Sequence, residues 1–108
     1  MHKIIGLYKL FHQYLKIFPK IERFGIGQKC DNNLLKILEL AILASQISGI
    51  KKLIYLEKAS RKLNTLKILF RLIKELKIID LNKYIQLETY CQEIGKMLGG
   101  WIRSIKYR

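Results

Sequence analysis

The chain has 108 residues, half of them hydrophobic, which is enough for one domain with its own core and excludes wholesale disorder. One proline, seven glycines and no valine, against 18 leucines and 18 isoleucines, exclude the regularly spaced turns of a β-sandwich. Twenty-one basic against eight acidic residues give a formal charge of +13, which suggests a polyanionic partner such as RNA, DNA or a phospholipid surface, although AT-rich coding sequence also favours lysine and isoleucine. In chain order, the first helical segment runs from about Lys3 to Phe18, with Leu7, Leu10, Phe11, Tyr14 and Phe18 on one face. Pro19 ends it and suits the start of the next helix, where Glu22 meets the positive end of the helix dipole. The second helix reaches about Ser48 on an inner stripe of Gly27, Cys30, Leu34, Leu38, Ala41 and Ser45, and Gly49 is placed to cap its C-terminus. Gly25 and Gly27 each weaken a helix by about 1 kcal/mol, which close backbone packing would offset.

The third helix spans about Lys51 to Lys77 on a heptad of Leu56, Ala59, Leu63, Leu66, Phe70 and Ile73. A second apolar patch of Ile68, Leu69, Leu72 and Leu76 lies on another side. It fits either a helix wedged between two neighbours or a subunit interface. Ile78 and Ile79 make a tight connection, and Asp80 is the N-cap of the fourth helix. That helix carries Tyr84, Leu87, Cys91, Ile94, Leu98, Trp101 and Ile105 at steps of three and four. The connections are too short for crossovers, so the expected fold is all-α: an up-down antiparallel four-helix bundle forming one domain over residues 1–108.

The charge is uneven. Residues 51–77 hold nine basic and two acidic residues, a net +7, and residues 96–108 add +4. Lys67, Arg71 and Lys74 share one face about 11 Å long, with Asn64 and Ser60 behind them. Lys58, Arg61 and Lys62 add charge one step around. Like charges at such spacing repel, so a cationic stripe of this kind fits a polyanion or acidic partner better than an idle solvated face. The C-terminal group of Lys96, Arg103, Lys106 and Arg108 is a weaker signal, since last-turn cations also suit the helix dipole.

Catalytic signatures are missing. His2 and His12 stand ten apart, and neither cysteine has a partner at a metal-ligand spacing, so no metal or cofactor is expected. Cys30 and Cys91 fall on inner stripes, where they read as buried, reduced thiols in a cytoplasmic setting. Gly25-Ile26-Gly27 is too short for a phosphate loop, and Gly99-Gly100 lacks a following lysine. A helical ribonuclease of the HEPN type needs a histidine on a late helix, and none follows His12. The protein is expected not to be an enzyme. No apolar run approaches the roughly 18 residues of a membrane span, and Met1 to Leu15 has no signal-peptide block or cleavage site. Membrane-surface binding is set aside because the third helix needs its apolar face for the core.

Two stretches resemble a known family. They are Phe18-Pro19-Lys20 with Arg23-Phe24-Gly25-Ile26-Gly27-Gln28-Lys29, and Glu93-Ile94-Gly95-Lys96-Met97-Leu98-Gly99-Gly100-Trp101. Both are similar to the accessory variability determinant proteins of diversity-generating retroelements, and Leu66 to Ile79 resembles that family's third helix. The likeness covers about residues 5 to 106; its first motif is shared with a broader superfamily that includes proteins encoded in intervening sequences of ribosomal RNA genes. The resemblance implies a basic four-helix protomer of a homopentameric ring, partnered with a retroelement reverse transcriptase and its template RNA, and acting in mutagenic homing. It carries partner binding onto Lys67, Arg71 and Lys74. Here lysine replaces arginine at several basic sites, which favours general attraction over bidentate contacts. A stand-alone oligomer of the broader superfamily, structural or generally RNA-binding, is the alternative. Gly95 and Gly99, one turn apart, with Gly100 beside them, would let a neighbouring helix approach closely while Trp101 covers the adjoining gap.

Overall fold

The computed structural model describes residues 1–107, so Arg108 of the C-terminal cationic group lies outside the described residues. Among the described residues four long helices are formed: α1 (His2–Leu15), α2 (Gln28–Gln46), α3 (Ile50–Glu75) and α4 (Leu81–Lys106). α3 packs on α2 and α4, and α1 closes the bundle against α2 and α4. Two of the connections are only a few residues long, while α3 is about 39 Å long, so successive helices must run antiparallel. No strand occurs among the described residues. The bundle measures 46 × 22 × 20 Å.

The core follows a heptad rhythm on every helix. Its buried positions are Ile4, Leu7, Phe11 and Tyr14 on α1; Cys30, Leu34, Ile37, Leu40, Ala41 and Ala44 on α2; Leu56, Ala59, Leu63, Leu66, Phe70 and Ile73 on α3; and Leu87, Cys91, Ile94 and Leu98 on α4. Steps of three and four average 3.5 residues, the repeat that keeps supercoiled helices in register. Leu38 is therefore only half-buried and Ser45 exposed: two successive steps of four carried the expected α2 stripe one residue off the seam. On α1, Ile4 is buried and Leu10 half-buried. Phe11 bridges the centre, its ring centroid 5.5 Å from Phe70 and 5.8 Å from Phe18. Among the described residues no polar or charged residue is buried.

The connections differ from expectation in two places. α1 ends at Leu15, earlier than Phe18, and Pro19 opens a short turn, Lys20–Glu22, that runs through a π-helical turn, Arg23–Gly27, into α2. The chain kinks at Gly25. The Arg23 guanidinium donates to the carbonyls of Lys16 (3.1 Å) and Phe18 (3.4 Å), satisfying backbone acceptors left at the end of α1. Gly49 does not cap α2. α2 ends at Gln46, Ile47 is extended, and Gly49 stands at the N-cap of α3 with φ 76° and ψ −150°, a region open essentially to glycine alone. The α3–α4 connection is as expected at Asp80, whose carboxylate accepts from the Lys83 N–H at 2.8 Å.

Candidate nucleic-acid and partner interface

α3 turns its core stripe inward, which leaves two flanks and an outer ridge. Lys67, Arg71 and Lys74 lie on the α4 flank. Lys74 places its ammonium 4.7 Å from the centre of the Tyr84 ring, and the Lys67 ammonium lies 3.9 Å from where a Cβ on Gly95 of α4 would stand. Lys58, Arg61 and Lys62 lie on the opposite flank, where they line a groove of about 300 Å³ with Lys36 and Leu40 of α2 and with Thr65. The six cations therefore form two groups, not one broadened stripe. Lys62 and Lys67 are five residues apart, about 140° around a helix, and the bundle separates them. Lys36 joins the second group from a different helix, which no spacing along the chain could reveal.

The six α3 cations on these flanks have no ion-pair partner among the described residues, whereas Lys36 of α2 pairs with Glu39. The ion pairs among the described residues are Lys3–Glu93 (2.9 Å), Lys36–Glu39 (3.4 Å), Lys83–Asp80 (3.3 Å) and Lys106–Glu57 (3.8 Å). None involves Lys58, Arg61, Lys62, Lys67, Arg71 or Lys74. Arg61, Lys62, Lys58 and Arg71 are exposed, while Lys67 and Lys74 lie half-buried along α4. Two rows of uncompensated cations flanking one helix suit a phosphate backbone or an acidic protein surface.

Between the flanks runs the second apolar patch. Ile68 is 64% exposed, Leu76 55% and Leu72 40%, whereas Leu69 packs half-buried against the core. The wedged-helix reading is thus wrong for three of the four residues, because α1 lies diagonally across the core and only α2 and α4 cover the sides of α3. The glycine motif also divides. A Cβ on Gly95 would make an ordinary contact with Leu63 of α3 at 3.6 Å, so this glycine faces α3 with room for a methyl. A Cβ on Gly99 would meet only Arg103 of its own helix, and one on Gly100 would meet nothing within 4 Å. The expected strip against a neighbouring helix is one glycine wide within the protomer. Trp101 packs half-buried on the core beneath the Lys52 ammonium, 5.1 Å from the ring centre.

Gly6 was not singled out by sequence. A Cβ there would lie 3.0 Å from the Tyr90 ring, so Gly6 seats α1 on α4; its only signal was a glycine inside an unbroken helical pattern. Burial pushes both thiols, Cys30 and Cys91, up to about 12, which leaves them protonated and inert at neutral pH.

Among the described residues no helix is long and apolar enough to cross a membrane. Comparison with curated proteins gives no match. The family model described as bAvd-like matches residues 1–105, both glycine-bearing motifs and the whole of α3 included. A basic helical chain of this architecture, matched over nearly its full length, belongs to the bAvd-like family, the accessory variability determinant proteins.

Proposed function

We propose that this protein is a non-enzymatic accessory factor of a diversity-generating retroelement, a cytoplasmic homopentamer that binds a reverse transcriptase together with template RNA and its cDNA to support mutagenic homing. The observation that carries this reading is the pair of uncancelled cationic flanks on α3, in a member of the bAvd-like family. Five copies would carry a formal charge of +65 and repeat those flanks around a ring. The exposed ridge of Ile68, Leu72 and Leu76 offers the apolar surface that such an assembly would bury. The protein would hold and orient its partners, the chemistry remaining with the polymerase.

RNA affinity measured across a range of salt tests the proposal. Phosphate contacts should give a log–log slope near −0.7 for each single-strand phosphate neutralised. Lys58, Arg61 and Lys62 to glutamate, and separately Lys67, Arg71 and Lys74 to glutamate, should leave helicity intact and abolish capture of RNA or of the reverse transcriptase. A flat salt response, or charge-reversed protein that still captures both partners, would refute it.

A further inference from the structure

Three ring-bearing side chains, Tyr8, His12 and Phe24, come together on the α1–α2 side of the bundle. Tyr8 and His12, one turn apart on α1, stack with ring centroids 6.2 Å apart and planes 23° from parallel. Phe24, on the π-helical turn, is 65% exposed and contributes nothing to the core. It lines an open groove of about 360 Å³ together with Tyr8 and His12. On their other side the same two rings line a second groove with Lys9 and Lys16, neither of which has an ion-pair partner among the described residues. Asp31 of α2 lines the first groove beside Tyr8, and burial together with that carboxylate pushes the Tyr8 phenol up.

We infer that Tyr8, His12 and Phe24 form a stacking site for unpaired bases of single-stranded nucleic acid, with Lys9 and Lys16 positioned for the adjoining phosphates. Ring faces accept any base, and cations beside them follow the backbone, the combination used to hold single strands without reading sequence. A duplex keeps its bases stacked on one another and gains nothing from such rings. The inference rests on the proposed nucleic-acid role but names a different surface, so the two can fail separately.

The full chain is titrated with a short oligoadenylate, as RNA and as DNA, carrying 2-aminopurine, and with a duplex of the same length at the same salt. Wild-type protein should quench 2-aminopurine emission on the single strands. The His12→Leu/Phe24→Leu double variant should lose the quenching and about tenfold in single-strand affinity, with duplex affinity unchanged. His12→Phe and Phe24→Tyr keep a ring and should retain both signals. His12 and Phe24 are exposed, so these variants should fold, which circular dichroism checks. Equal losses on single strand and duplex, or no loss on either, overturn the stacking site and leave the α3 reading standing. Wild-type protein that binds neither form at low salt overturns both.

Discussion

A Cβ added to Gly27 would stand 2.6 Å from a Leu15 methyl, 3.2 Å from the Phe18 ring and 3.1 Å from the Glu22 carbonyl oxygen. The methyl can turn away, but the carbonyl belongs to the Lys20–Glu22 turn that leads into the π-helical turn and cannot move without it. Gly27→Ala should therefore destabilise the protein by about 1–3 kcal/mol, as overpacking does, even though alanine is the better helix former. Urea unfolding measures this, and a neutral or stabilising result would show that the turn relaxes. Lys77 presents the opposite case. α3 ends with the Ile78 N–H on the Ile73 carbonyl (3.0 Å) and the Lys77 N–H on the Lys74 carbonyl (2.9 Å), a Schellman arrangement that requires a left-handed residue. Lys77 fills that position at φ 61°, where glycine has no steric penalty. Lys77→Gly should stabilise by about 0.5–1 kcal/mol in the same assay, and no gain would mean that the lysine side chain offsets its backbone strain.

The helices owe their ends to different devices, and these explain how much the sequence discloses. At α4 the Asp80 carboxylate sits below the ordinary carboxylate range, chiefly because the Lys83 N–H donates to it and secondarily because the Lys83 side chain does. A carboxyl lowered in the folded state stabilises above its unfolded pKa, and this contribution is lost as pH falls through the folded value. Asp80→Asn keeps an N-cap but has no charge to titrate, so its thermal midpoint should fall less between pH 7 and pH 3 than that of the parent. Identical acid limbs would assign the loss to other carboxylates. Asp80 was legible because a cap is a local signal: the right residue directly before an apolar repeat. The α3 and α4 stripes were legible because strict heptads fix phase without knowledge of partners. The α2 stripe left the seam at Leu38 and Ser45, each one residue past a buried position, because a straight 3.6-residue helix admits a step of four where the supercoiled 3.5-residue repeat takes a three. The early end of α1 and the re-use of Gly49 at the start of α3 depend on where neighbouring helices pull the chain. The cationic groove was half legible: the α3 residues follow from composition, whereas Lys36 arrives through packing alone.

At the scale of the molecule the surface carries two features that a lone protomer does not use. The first is the ridge formed by Ile68, Leu72 and Leu76, exposed between two rows of like charge. The second is Gly100, half-buried inside α4 with no atom near the space a methyl would fill. In an isolated bundle, alanine at Gly100 should add about 1 kcal/mol through helix propensity. Glutamate at Ile68 or Leu72 should change protomer stability by no more than about 0.5 kcal/mol, as exposed substitutions usually do. In the proposed ring the same changes strike an interface, either by crowding a close backbone approach or by burying an unpaired charge. Light scattering should therefore report a mass of several protomers for the parent chain and of one for the Ile68→Glu/Leu72→Glu variant, with helicity equal in both. Gly100→Ala should likewise lighten the assembly while raising the melting point of whatever protomer is released. A parent chain that already scatters as a single protomer would remove the ring. The ridge would then be surface for a different partner, and the α3 cations would have to act singly, without repetition around an axis.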